Sequence, residues 1–192
     1  MNLFDDTLPT EYEYDGVTYE MHTDFREWIK FELLITDPDI LPREKPPLLA
    51  RLIFPVVPPD PALGEFLIWF YSCGKKPNKG KSGKTAAKKQ NAAVYSFEYD
   101  GGYIYAAFIE QYGIDLTSTE YLHWWKFRAL FSALHDCRFT DIMGYRSEDE
   151  RDVPDYRKAR LRELKRIYAL PKSLSEQQKI EEAKKLMKQY AN

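Results

Sequence analysis

The chain has 192 residues, 44% hydrophobic and 15% aromatic, enough for one main core with a detachable tail. Its 28 basic and 30 acidic residues leave a net charge of -2, so bulk electrostatics do not make it a polyanion binder. Cys73 and Cys137 stand far apart and read as free buried thiols of a reducing compartment; an acidic start and short apolar runs argue against a secretory signal and a membrane span.

In chain order, EYEYDGVTYEMH alternates Tyr12, Tyr14, Val17, Tyr19 and Met21 around Asp15-Gly16, which predicts a small β-hairpin. Thr23 or Asp24 then caps a helix, DFREWIKFELLI, with Phe25, Trp28 and Ile29 on one face. Eight prolines between residues 37 and 61 leave room only for a short helix around Leu48 to Phe54. A helix over 61–73 follows, with Asp60 as N-cap and Gly74 as stop. The next stretch, 74–91, is expected to be a mobile basic loop, because Gly, Ser, Asn, Pro and Lys bury too little apolar surface to offset ordering.

VYSFEYD reads as a short extended piece, after which Asp100 opens a helix through GGYIYAAFIEQY that Gly113 stops. TSTEYLHWWKFRALFSALH is expected to be the central core helix, capped by Ser118 or Thr119, with an apolar face through Leu122, Trp125, Ala129 and Leu130. RFTDIMGYR predicts a short helix ending at Gly144, and SEDERDVPD a solvated loop. Two more helices close the chain, DYRKARLRELKRIYAL and SEQQKIEEAKKLMKQYA. The last shows a narrow stripe of Ile180, Ala183, Met187 and Tyr190, which points to a partner helix rather than a deep core position. The expected architecture is mainly α: a main domain over 1–170 with an N-terminal hairpin, and an amphipathic, partner-facing C-terminal helix over 171–192.

Chemical motifs are scarce. GKSGKT resembles a phosphate-binding loop, but the first glycine position holds Asn78 and the segment before it reads as a helix instead of a strand. His22, His123 and His135 lack metal-ligand spacing, and no G-x-S-x-G or Cys/His framework is present, so neither a metal, a cofactor nor a catalytic residue is expected. Lys75, Lys76, Lys79, Lys81 and Lys84 are the candidates for a polyanion contact. Adjacent Trp124 and Trp125 point about 100° apart on a helix, so either the core is packed on two sides or one indole sits at an interface, and Trp28 joins them as a candidate contact.

Several pieces, kept in order, together resemble the bacteriophage gp-fifteen family, small proteins of temperate phages and prophages. These are LP-x-x-Y with the DG hairpin, TDFREWIKF, FYSCG before a lysine-rich loop, YDGGYIYAAFIEQYGIDL, LHWWKFRALFSAL and MGYR, spanning roughly residues 8 to 170. The resemblance implies a non-enzymatic tail assembly chaperone in the host cytoplasm, without recognised catalytic residues. It would bind the tape-measure protein and give way as tail-tube protein polymerises. Trp28, Trp124, Trp125, Ile180, Met187 and Tyr190 are the expected partner contacts, and a homo-oligomer is compatible with the amphipathic helices. The competing expectations are a structural head-tail connector or other virion component, and a nucleic-acid binder using the lysine loop.

Overall fold

The computed structural model describes residues 7–37, 39–75 and 94–171, together with Lys185 and Met187. Among these residues the protein is mainly helical, with one two-stranded antiparallel hairpin at its N-terminal end. The chain forms two compact units: unit 1 takes Met1–Lys84, Glu120–Ser132 and Gln177–Asn192, and unit 2 takes Thr85–Thr119 and Ala133–Glu176.

Unit 1 begins with β1 (Glu11–Tyr14) and β2 (Val17–Glu20), joined at Asp15-Gly16. Both turn residues have positive φ, 51° and 73°, the combination a tight two-residue hairpin turn requires. Helix α1 (Phe25–Thr36) starts at Asp24, whose carboxylate accepts from the Arg26 N–H at 3.0 Å. It buries Phe25, Trp28, Phe31 and Ile35; Ile29 lies only half-buried at the margin of that face. Helix α2 (Lys45–Ile53) begins earlier than the predicted Leu48. Pro46 and Pro47 sit in its first turn, where their missing N–H groups cost no intrahelical bond.

Helix α3 (Leu63–Tyr71) also starts later than its caps predict: Asp60 stays outside, accepting from the Ala62 N–H at 2.7 Å. Gly74 does end this segment, with φ 71° and its N–H donating to Trp69 O. A side chain there would also meet Trp125, since an ideal Cβ lies 3.0 Å from the indole.

The largest departure from the sequence reading is α5 (Trp124–Ala133), which does not start at Ser118 or Thr119. Residues 122–124 are instead tied to the start of α1: Phe25 N–H donates to Leu122 O at 2.9 Å and Trp124 N–H to Thr23 O at 2.7 Å. The Leu122 N–H donates to Asp24 Oδ2 at 3.0 Å, so one carboxylate serves both segments. Backbone groups committed to α1 are not free to make a helical turn of their own. The buried face is consequently Trp124, Trp125, Phe127 and Phe131, not Leu122, Ala129 and Leu130, of which Ala129 is exposed and the others half-buried.

Unit 2 contains α4 (Gly101–Tyr112), α6 (Arg138–Ser147), a 3-10 turn at Glu150–Asp152, and α7 (Asp155–Ile167), with α4 packed on α6 and α6 on α7. Gly113 stops α4 in the left-handed region at φ 64°. Val94 to Asp100 form bends and a turn instead of a strand, because the Ser96 N–H is bonded to Asp100 Oδ2 at 2.9 Å. Gly144 does not end α6; the helix continues to Ser147 and so carries Arg146.

Candidate partner-binding surfaces

The three tryptophans proposed as contacts lie inside unit 1. Trp28 and Trp124 are 0% exposed and Trp125 is 3% exposed. Each indole N–H is spent on a backbone carbonyl: Trp28 on His22 O at 2.9 Å, Trp124 on Tyr71 O at 3.0 Å, Trp125 on Phe70 O at 2.8 Å. Carbonyls at a helix C-terminus lack intrahelical partners, and the adjacent pair that ends α3 accepts from two indoles pointing apart on α5. The angle between Trp124 and Trp125 therefore serves a core packed on two sides, and neither ring offers an accessible interface. Trp28 stacks on Phe70 with centroids 4.5 Å apart, and Trp124 stacks on Tyr71 at 5.7 Å and Phe127 at 5.8 Å.

His123 belongs to the same cluster. Its Nδ1 accepts from the Trp125 N–H at 3.0 Å, which leaves Nε2 to donate to Pro9 O at 3.1 Å. Burial lowers its pKa below the usual 6.5, against an upward pull from the Pro9 carbonyl. Tyr12, whose hydroxyl donates to Asp60, is pushed up to about 12, by burial first and by the Asp60 carboxylate second.

Unit 2 is organised around Arg146, which the sequence did not single out. Its guanidinium donates to both oxygens of Asp100, at 2.6 and 2.9 Å, and to Val94 O at 3.0 Å and Tyr168 O at 2.6 Å. Asp100 is 1% exposed and Arg146 9% exposed by side chain, so the ion pair is buried, and only a planar fork reaches the carboxylate and the two carbonyls together. The signal was present in the quoted pieces: YDGG and MGYR, far apart in sequence, supply the two partners. TDFREW, LHWW and FYSCG meet in unit 1 in the same way, through Asp24, Leu122, Trp124 and Tyr71.

Of the remaining candidates, Lys75 is exposed, while Lys76, Lys79, Lys81 and Lys84, with the GKSGKT segment, lie outside the described residues, as do Ile180 and Tyr190. Met187 is helical and 5% exposed, and it packs on Gly64 of α3. Among the described residues no group of three or more His, Cys, Asp or Glu could hold a metal ion, and no helix is long and apolar enough to cross a membrane. His135 is exposed, its Nδ1 bonded to Ala133 O at 3.0 Å. Unit 2 exposes apolar side chains on two helices: on α4, Tyr103, Ala106 and Ile109 recur at helical spacing on an exposed face, with Tyr99 just before the helix, and on α7 Tyr156 and Ile167 are exposed.

No curated protein and no solved structure matches the chain. The family described as Bacteriophage Gp15 protein matches residues 4–170, which contain both the indole cluster of unit 1 and the Arg146 hub of unit 2. The chain belongs to this bacteriophage family.

Proposed function

We propose that this protein is a non-enzymatic tail assembly chaperone whose partner is the tape-measure protein of the same phage. Membership of the bacteriophage family over residues 4–170 carries the reading, since the family resemblance implies a place among tail-assembly proteins. The physical support is of two kinds. Among the described residues, the buried groups Asp100, Arg146, His123, Glu32 and Lys45 are engaged by neighbours inside the fold: Tyr71 donates to Glu32 at 2.5 Å, and Lys45 donates to Ile35 O at 2.7 Å. The exposed Tyr103, Ala106 and Ile109 on α4 offer the apolar spacing that an amphipathic helix of a long helical partner would meet. Reversible association fits several modest contacts of this kind better than a single deep anchor.

Size-exclusion chromatography with light scattering tests the reading, on the protein alone and co-expressed with the tape-measure protein. A soluble complex with several copies per tape measure is expected. A tape measure that stays insoluble without co-elution overturns the chaperone reading. Detection of the protein in purified particles would instead favour a structural virion component.

A further inference from the structure

Helix α4 has a solvent-facing side without the polar character such a side ordinarily carries. Ile104, Ala107 and Phe108 are its buried residues, while Gly102, Tyr103, Ala106, Ile109 and Glu110 are exposed, and Glu110 is the one charged residue of the helix. Among the described residues no hydrogen bond, ion pair or ring contact engages the side chain of Tyr103 or Glu110. Gly102 is an independent sign. Its φ lies outside the left-handed region and a Cβ there would meet nothing within 4 Å, so no neighbour in the chain requires a glycine that costs helix stability relative to alanine. The exposed apolar residues of α7 make no comparable surface, because Tyr156 and Ile167 stand toward its two ends with the Arg160–Glu163 ion pair between them.

The face of α4 is complementary to itself. At 100° per residue, Gly102 and Ile109 lie about 40° and 60° to one side of Ala106, and Tyr103 and Glu110 about 60° and 40° to the other. A second α4 turned end for end about Ala106 therefore sets Ile109 against Gly102 and Tyr103 against Glu110, each pair occurring twice. The branched side chain of Ile109 meets a position without one, which lets the two backbones approach. The Tyr103 hydroxyl meets a carboxylate that lacks a donor, and a hydrogen bond to an ionised acceptor is a strong one. The two Glu110 positions stand roughly 12 Å apart along the axes, eight rises of 1.5 Å, farther than a Debye length at physiological salt, so their repulsion is screened. A parallel pair would set Glu110 against Ile109 instead, leaving a charge beside an apolar group.

We propose that the outer face of α4 is the interface of a symmetric homodimer, in which two α4 helices pack antiparallel about Ala106. An interface centred on one short helix from each copy is small, so the association is weak and reversible. The inference goes beyond the chaperone reading and does not rest on it, although a tape-measure helix that met α4 would have to take the place of the second copy.

Sedimentation equilibrium of the full chain without any partner tests the dimer, so its failure is distinguishable from failure of the chaperone reading. A monomer–dimer equilibrium that shifts with concentration is expected. Ala106→Glu places a charge at the centre of the interface on an exposed helical position, and should raise the dissociation constant about tenfold or more with the thermal midpoint of the monomer little changed. Gly102→Ala should move two readouts in opposite directions: the monomer melts at a higher temperature, because alanine favours the helix, and dimerisation weakens severalfold, because a methyl fills the position that admits Ile109. Ala106→Cys should form a disulfide-linked dimer on mild oxidation, with the parent chain as the control for Cys73 and Cys137. A chain that is monomeric at every concentration, a dimer indifferent to Ala106→Glu, or no cross-linking by Ala106→Cys beyond that of the parent chain would overturn the proposal.

Discussion

Unit 1 and unit 2 are held by different kinds of interior. In unit 1 the interior is aromatic: Phe25, Trp28, Phe70, Trp124 and Phe127 stack in a continuous cluster, with indole N–H groups, Thr23, His123, Glu32, Lys45 and the Tyr71 hydroxyl as buried polar groups among the described residues. In unit 2 a buried Arg146–Asp100 pair ties the entry of α4, the end of α6 and the residue after α7 to one guanidinium. Apolar contacts are many, small and partly replaceable. A buried ion pair is different, because losing one member leaves the other charge without compensation.

The sharpest way to break the comparison is Arg146→Ala, which should destabilise the protein by about 3–5 kcal/mol. Arg146→Lys should recover little of this, since an ammonium cannot span a carboxylate and two carbonyls at once. Urea unfolding gives the magnitude, and hydrogen exchange should show protection lost in α4, α6 and α7 and kept in α1 to α3; equal loss in both units would contradict the division of labour.

In unit 1, Trp28→Phe keeps most of the ring and removes the bond to His22 O, for an expected cost of about 1–3 kcal/mol. A loss as large as that of Arg146→Ala would mean that the cluster is no more tolerant than the ion pair.

A smaller effect follows from His123, whose pKa in the fold lies below 6.5. As pH falls through 6.5 the unfolded chain takes up a proton before the folded one does, so stability is full above that value and decreases below it. The slope is at most about 1.4 kcal/mol per pH unit and flattens once the folded imidazole is protonated as well. Urea midpoints on either side of pH 6.5 measure it, and His123→Gln should remove this contribution.

The smallest contrast lies in two left-handed glycines. Gly113→Ala meets nothing within 4 Å and should cost about 1 kcal/mol of backbone strain, whereas Gly74→Ala adds a collision with Trp125 and should cost more. Equal thermal shifts for the two would show that the indole yields.

Much of the local structure was legible because it depends on neighbours in sequence. Asp15-Gly16 specified the hairpin turn, Asp24 capped α1 and Gly113 stopped α4, each through the conformational preference or hydrogen bond of one residue. The start of α5 was not legible, because Thr119 is a sound cap and only pairing with the start of α1 removes residues 122–124 from the helix. Arg146 was hidden for a related reason: an arginine near the end of a short helix looks like an exposed residue until Asp100 is placed beside it. The burial of Trp28, Trp124 and Trp125 was not legible either, since an indole looks alike in sequence at an interface and in a core.

From the sequence alone follow the helical class, the hairpin, the start of α1, both ends of α4 and the resemblance to a bacteriophage family. These rest on periodicity, capping and ordered motifs that operate over a few residues at a time. Tertiary structure alone decided which distant motifs meet, that Trp28, Trp124 and Trp125 lie inside, and that Met187 packs on Gly64. Those facts depend on which donor finds which acceptor across dozens of residues, and on how closely two backbones approach, quantities that no local pattern encodes.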